Sequence, residues 1–262
     1  MKTKIQICRV TAIAVAILIS CSSLKAQMSK SNNMKKILFV VTNVNVAPNN
    51  GAAIGLWLEE FAAPYYFLKD AGIDITLTSP KGGVSPVDLR SSSEKASSIY
   101  TKRFLEDTVA QKALYHTLPI KEVNGSDYDA IYYPGGRGPM WDLPENPQSI
   151  SLIESMYAAG KPIAFVCHGP VALKNAKTST GTLIMKGRKL AGYTNEEEQA
   201  GNTGGGVPYL LEDMLKQSGA DYQKGPKFEP FVLKDKTIIS GQNPHSSLKV
   251  AEELLNSLNA KK

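Results

Sequence analysis

The string Ala164-Phe165-Val166-Cys167-His168-Gly169-Pro170 carries a thiol and an imidazole between an apolar run and a Gly-Pro pair. A strand running into a small polar residue, then into a helix, is the logic of a nucleophile elbow, which exposes the side chain at the top of a sheet. The amides and dipole of a helix beginning beyond Cys167 would lower its thiol pKa. His168 can serve as base, acid or orienting group. The structural alternative, a buried inert cysteine, is common for an isolated Cys, but the strand-Cys-His-Gly-Pro context argues against it. Pro134-Gly135-Gly136-Arg137-Gly138 follows another strand. Glycines there let a backbone approach a ligand, and the amides of Gly136 and His168 could form an oxyanion hole. Glu59 and Glu60 fall on the first helix, where a carboxylate would lie over the same sheet edge. Neighbours on a helix are about 100° apart, so one of the two must point elsewhere.

These residues need a scaffold, and the apolar pattern supplies one. Strands are predicted at Lys36–Thr42, Ile73–Ser79, Asp129–Tyr133, Pro162–Val166, Lys189–Tyr193 and Thr237–Ile239. Helices are predicted at Leu56–Ala71, Leu105–Tyr115, Ser149–Ala159, from Gly169 to Asn175, at Tyr209–Gln217 and at Ser246–Leu258. Asn43–Gly55 reads as a loop and Pro80–Tyr100 as a long excursion. Strands alternating with helices imply a mostly parallel sheet covered on both faces, and ligands bind beyond the carboxyl ends of such strands.

The 262 residues, 42% hydrophobic and 21% charged, suit one large α/β domain. The formal charge is +6, but Lys2, Lys4, Arg9 and Lys25 contribute four of those charges. The remainder, about +2, argues against a nucleic-acid partner. Residues 1–26 read as an export signal: a basic head, then an apolar stretch from Val10 to Ser20 too short to span a bilayer comfortably. Leu18-Ile19-Ser20-Cys21 resembles a lipobox, in which Cys21 would be lipidated and anchor the protein in the cell envelope. A signal cut after Ala26 is the alternative, as is a cytoplasmic protein translated from Met28 or Met34. Residues 27–34 then form a linker and 35–262 the domain. Cys8 and Cys21 lie in the signal, so Cys167 is the domain's single cysteine. No intrachain disulfide or cysteine-rich zinc site can form there.

Five strings in order carry a family resemblance. Val-Cys-His-Gly-Pro-Val-Ala-Leu from Val166 resembles the nucleophile motif of the ThiJ/PfpI family, in the class I glutamine amidotransferase-like superfamily. Gly-Leu-Trp-Leu-Glu-Glu-Phe-Ala-Ala-Pro from Gly55 resembles its first-helix motif, whose glutamate stands four residues before a proline, here Glu60 and Pro64. Tyr132 to Leu143 resembles the glycine loop. Tyr193-Thr-Asn-Glu-Glu-Glu198 resembles the strand-end segment carrying a third catalytic acid in one branch, which falls on Glu198. Gly241 to Ser247 resembles that branch's last signature. The likeness spans Lys35 to about Leu258. It implies a flavodoxin-like three-layer α/β/α sandwich and leaves a homodimer open. The branch is the heat-shock-chaperone-like one, known for glutathione-independent glyoxalase (glyoxalase III, D-lactate dehydratase) activity. Two positions depart from it. Arg137 stands where the branch usually has histidine, and it cannot shuttle protons. His245 replaces a smaller residue and reads as structural or rim.

The resemblance implies cofactor-free chemistry on a small aldehyde. The Cys167 thiolate would add to a 2-oxoaldehyde such as methylglyoxal, Glu60 would move a proton between adjacent carbons, and His168 would assist. A cysteine peptidase or amidase could use the same Cys/His/Glu set, though it has no need of a carboxylate beside the thiol. A redox-responsive chaperone would act through oxidation of Cys167. No nicotinamide or metal fingerprint is visible. Gly135, Gly136 and Arg137 are the expected substrate-binding residues.

Overall fold

Strand β1 (Lys36–Val40) lies inside a seven-stranded sheet, third from one edge. The computed structural model of the protein describes residues 34–201 and 205–260. The expected signal and Cys21 therefore lie outside the described residues. β2 (Asp74–Ser79) and then β3 (Leu118–Pro119) extend the sheet on one side of β1. On the other side follow β4 (Ala130–Tyr133), β5 (Ile163–Val166), β9 (Ile238–Gly241) and β8 (Val232–Asp235). Every pairing in this sheet is parallel except β8 with β9.

The strands are apolar at nearly every position because both faces are covered. Ile37, Phe39, Tyr132, Ala164 and Ile239 pack on one side, in the cluster that includes α1 (Leu58–Asp70) and α8 (Ser247–Asn259). Leu38, Val40, Ile131, Tyr133 and Phe165 pack on the other, in the cluster that includes α5 (Pro147–Ala158) and α7 (Leu211–Gln217). The alternation within each strand assigns successive side chains to opposite layers. The result is a flavodoxin-like three-layer α/β/α sandwich.

Three expectations are corrected. Leu105–Tyr115 is not one helix: α2 (Ile99–Glu106) ends and α3 (Thr108–Tyr115) begins at Asp107. That carboxylate caps α3, accepting from the amides of Val109 and Ala110, both at 3.0 Å. The segment after Cys167 is a short 3₁₀ helix, Gly169–Leu173, closed by i to i+3 bonds such as Val171 N–H to the His168 carbonyl. Lys189–Tyr193 is not a strand of the main sheet. Only Lys189–Leu190 (β6) is strand, and it pairs with β7 (Asp221–Tyr222) in a separate ribbon. The edge of β5 that it would need is occupied by β9, from Ile163 opposite Ile238 to Val166 opposite Gly241. Beyond Leu190 the backbone is held by other groups: Ala191 N–H by Ser240 Oγ at 2.9 Å and Tyr193 N–H by the Cys167 carbonyl at 2.9 Å. The sequence reading also missed α4 (Pro139–Asp142), α6 (Asn195–Ala200), and the short strands β3, β7 and β8.

Candidate active site

Cys167 sits one residue beyond β5 with φ at 57°, a left-handed conformation that costs a non-glycine residue about 1–3 kcal/mol. The surroundings hold it there. Its N–H donates to the Gly241 carbonyl at 2.9 Å and its carbonyl accepts from Tyr193. Gly169 packs so closely on the Tyr133 carbonyl that a Cβ would lie 2.4 Å from that oxygen. The elbow is thus clamped between the ends of β4 and β9 and the segment that follows β6.

The thiol is buried, and its Sγ lies 3.3 Å from His168 Nδ1. The other imidazole nitrogen, Nε2, lies 2.8 Å from Glu198 Oε2. A carboxylate only accepts hydrogen bonds, so Nε2 carries the ring proton and the Nδ1 lone pair faces the thiol. The ring also packs on Tyr193, centroid to centroid 4.7 Å.

Helix α6 explains why Glu198 is the glutamate that reaches His168. Thr194 caps the helix through a reciprocal box with Glu197. Glu197 is fully buried and accepts five hydrogen bonds, from Thr194 N–H and Oγ1, Phe228 N–H, Gln242 Nε2 and Asn243 Nδ2. Glu196 faces solvent, 3.5 Å from Lys227 Nζ. Three successive acids thus occupy three environments, as positions about 100° apart on a helix must.

Glu60 approaches from α1. It is fully buried, and Oε2 accepts from Gly135 N–H at 2.8 Å. Its Oε1 has no hydrogen-bond partner among the described residues, and the Cys167 thiol and the Gly136 amide are neighbours that favour the carboxylate form. Burial pushes this carboxyl up to about 8, against the lowering effect of the contacts from Cys167 and Gly135. At neutral pH Glu60 is therefore a carboxylic acid, able to donate. Glu59 points to Ser98 instead, whose Oγ donates to it.

Pro64 has a local purpose. Lacking an N–H, it leaves the Glu60 carbonyl without its helical donor. Tyr132 Oη, from β4, donates to that carbonyl at 2.6 Å. Glu60 is thereby tied to the sheet at both its backbone and its side chain.

The glycine loop fits around this pair. A Cβ on Gly135 would lie 2.6 Å from Glu60 Oε2, and one on Gly136, whose φ is +87°, would lie 2.3 Å from the Gly55 carbonyl. The Gly136 amide is turned toward the pair and stabilises the charged form of either group. The expected lowering of the thiol pKa is corrected: the Cys167 thiol is pushed well up, by burial first and then by the Glu60 charge. The helix argument fails because a 3₁₀ turn of five residues, not an α-helix, follows the cysteine. Both members of the pair thus rest protonated near neutral pH, and they titrate as a unit.

Cys167, Glu60, His168, Gly136 and Arg137 line one pocket of about 260 Å³. Arg137 is 4% exposed. Trp57, Arg90 and Tyr193 also line the pocket. Sequence reasoning did not single these three out, although Trp57 and Tyr193 lie inside the quoted strings. Among the described residues no group of three or more His, Cys, Asp or Glu could hold a metal ion, and no helix is long and apolar enough to cross a membrane.

The DJ-1/PfpI family model matches residues 55–257. Glyoxalase 3 of Candida albicans is 27% identical over 237 residues, 85% of this chain and 98% of that protein. Glutathione-independent glyoxalase HSP31 of Saccharomyces cerevisiae is 26% identical over 86% of this chain and 98% of its own length. The X-ray structure of Rapid Encystment Protein 24 KDa from Francisella tularensis superposes with a TM-score of 0.81 at 35% identity, covering 86% of this chain and 99% of that one.

Proposed function

Because the chain belongs to the DJ-1/PfpI family, we propose that it is a glutathione-independent glyoxalase, converting 2-oxoaldehydes of the methylglyoxal type to 2-hydroxy acids through a Cys167 thiohemiacetal. The observation that carries this reading is the buried, protonated Glu60 carboxyl in contact with the thiol. Amide hydrolysis has no use for a second proton carrier there, whereas moving hydrogen between adjacent carbons requires one.

The resting site holds a thiol and a carboxylic acid, with His168 Nδ1 beside the thiol. His168 Nδ1 takes the thiol proton, Sγ bonds to the aldehyde carbon C1, and the C1–O π pair moves to oxygen. That oxygen takes the Glu60 proton, with the Gly136 and His168 amides as donors to it. Glu60, now a carboxylate, removes the C1 proton. The C1–H pair becomes C1=C2, and the C2 oxygen takes the proton held by His168, giving an enediol. Glu60 then delivers its proton to C2 while the C1 hydroxyl returns a proton to His168, forming a thioester. Water attacks that thioester as Glu60 accepts its proton. The C–S bond breaks, and the leaving sulfur recovers its proton from His168. Substrate and water enter, a 2-hydroxy acid leaves, and glutathione has no part. Glu198 acts through His168, holding the tautomer and stabilising the transient imidazolium.

We propose separately, from the lipobox-like Leu18 to Cys21, that the protein is anchored at the cell envelope through Cys21. The test of activity is direct. Purified protein with methylglyoxal and no glutathione is expected to release lactate, and Cys167→Ala to release none. Lactate formation that requires glutathione, or that survives Cys167→Ala, contradicts the proposal.

A further inference from the structure

The active-site pocket does not end at the reacting groups. Beyond its roughly 260 Å³ lies a second chamber of about 370 Å³, and the two share Trp57, Tyr193 and Pro244 as common walls. The inner pocket alone would hold about eight or nine waters at liquid density, already ample for methylglyoxal. The outer chamber therefore has no task in the turnover of that aldehyde. To the shared Trp57, Tyr193 and Pro244 it adds the ring of Phe228. A wall of apolar and aromatic side chains with few polar groups is the make-up of a small-molecule site. Glu59, on the same wall, is engaged by the Ser98 hydroxyl, and Lys95 and His245 are exposed.

Phe228 marks the chamber as more than leftover space. It is 40% exposed, and its φ is 62°, a left-handed conformation unfavourable for an aromatic residue. The fold leaves much of this ring in solvent yet holds its backbone firmly. Its N–H donates to Oε1 of the buried Glu197 at 2.8 Å. The same oxygen accepts from Nδ2 of Asn243, which precedes Pro244, at 2.8 Å. The other oxygen accepts from the N–H and Oγ1 of Thr194, which follows Tyr193. One buried carboxylate thus fixes the segments that carry Phe228, Pro244 and Tyr193. An aromatic wall held this way is preorganised before a ligand arrives.

We propose that the outer chamber is a subsite for an aromatic group, so that the enzyme prefers 2-oxoaldehydes bearing an aromatic ring beyond the two carbonyl carbons, with Phe228 as the residue that sets this preference. This rests on the glyoxalase reading and names the substrate class of the same site. Cys167 and Glu60 handle the dicarbonyl end. The far end passes between Trp57, Tyr193 and Pro244 and meets Phe228 in an offset-stacked or edge-on contact.

The experiment uses the purified full chain without glutathione and measures initial-rate kcat/KM for methylglyoxal, phenylglyoxal, biphenylylglyoxal and hexylglyoxal. At least one aromatic substrate is expected to exceed methylglyoxal by about tenfold or more, the order that burying and stacking a ring supplies. Phe228→Ala is expected to lower that selectivity ratio roughly tenfold, chiefly through KM, and Phe228→Tyr, which keeps the ring, to retain it. Comparing ratios between variants cancels both the differing reactivity of the aldehydes and the fraction of enzyme folded. Hexylglyoxal, apolar but without a ring, is expected to gain less; a gain equal to that of the aromatic substrates overturns the aromatic assignment. Equal kcat/KM on methylglyoxal and both aromatic substrates, or a ratio unmoved by Phe228→Ala, overturns the proposal and leaves the glyoxalase reading intact. No turnover of any of these aldehydes overturns both. Titration calorimetry with phenylmandelate and lactate, the hydroxy acids formed from biphenylylglyoxal and methylglyoxal, gives a second readout that needs no turnover. The aromatic acid is expected to bind more tightly, with the difference reduced in Phe228→Ala; equal binding of the two acids counts against the proposal.

Discussion

Replacing Glu197 and Glu198 separately by glutamine should split stability from catalysis. Glu197 is buried and receives five hydrogen bonds, three on Oε1 and two on Oε2. A glutamine amide keeps one acceptor oxygen and turns an NH₂ toward donors it cannot satisfy. At about 1–3 kcal/mol for each buried donor left unpaired, losing two costs roughly 2–6 kcal/mol. For a chain of this size that lowers Tm by about 5–20 °C. Glu198 accepts from His168 Nε2 at 2.8 Å. Its amide analogue can still accept from Nε2–H, so Tm should move by less than about 3 °C. What is lost is the charge that stabilises the imidazolium formed when the thiol gives up its proton. That loss is worth roughly 1.5–3 kcal/mol, a fall in kcat of about 10- to 100-fold. The assay is thermal unfolding beside lactate release, with rates normalised to folded protein. Wild-type turnover in Glu198→Gln, together with an inactive but fully stable Glu197→Gln, would refute the assignment of these two carboxylates.

Three further outcomes follow from the geometry. The Glu60 carboxyl is raised from 4.5 to about 8 in the fold. Between those values the unfolded chain ionises and the folded one does not, so folding stability falls as pH rises through that window; Glu60→Gln should gain Tm over wild type at pH 8 but not at pH 4, and a pH-independent difference would count against the raised carboxyl. Tyr132→Phe strands the Glu60 carbonyl that Pro64 leaves open, so denaturant unfolding should show a loss of about 1–3 kcal/mol, partly restored by adding Pro64→Ala; no loss would mean that the carbonyl finds another donor. Cell fractionation should find the full-length protein with the membranes and lipid on Cys21, and Cys21→Ser should release it; unlipidated protein beginning at Met34 in the cytosol would contradict the anchor.

The parts of the site that were legible in the sequence are those fixed by local pattern. An apolar strand followed by Cys-His-Gly-Pro marks its elbow, and β1 and β4 advertise themselves through runs of buried residues, β2 through its alternation. The proton state of the site was not legible, because it depends on three-dimensional burial. The thiol is raised rather than lowered, since desolvation outweighs the few amides of a 3₁₀ turn. Helix α6 was overlooked although Thr194 and Glu197 form the T-x-x-E capping pattern, a local signal that was available. β8 is half-exposed and short, and it turns into β9 through Lys236 at φ 56° without a glycine to mark it. Arg90 reaches the pocket from the Ser-, Gly- and Pro-rich excursion, where composition carries no spatial information. Lys189–Tyr193 misled because its apolar centre is buried against side chains, including Ser240 Oγ, rather than paired in the main sheet.

The central claim is that Cys167 forms the covalent adduct and Glu60 moves the proton within it. Intact-mass analysis of Glu60→Gln incubated with methylglyoxal, without glutathione, tests this most directly. The account expects a methylglyoxal adduct on Cys167 to accumulate with little lactate released, since addition can proceed through His168 while the carbon-to-carbon proton shift cannot. Normal lactate turnover by Glu60→Gln, with no adduct accumulating, would remove Glu60 from the mechanism and contradict the account.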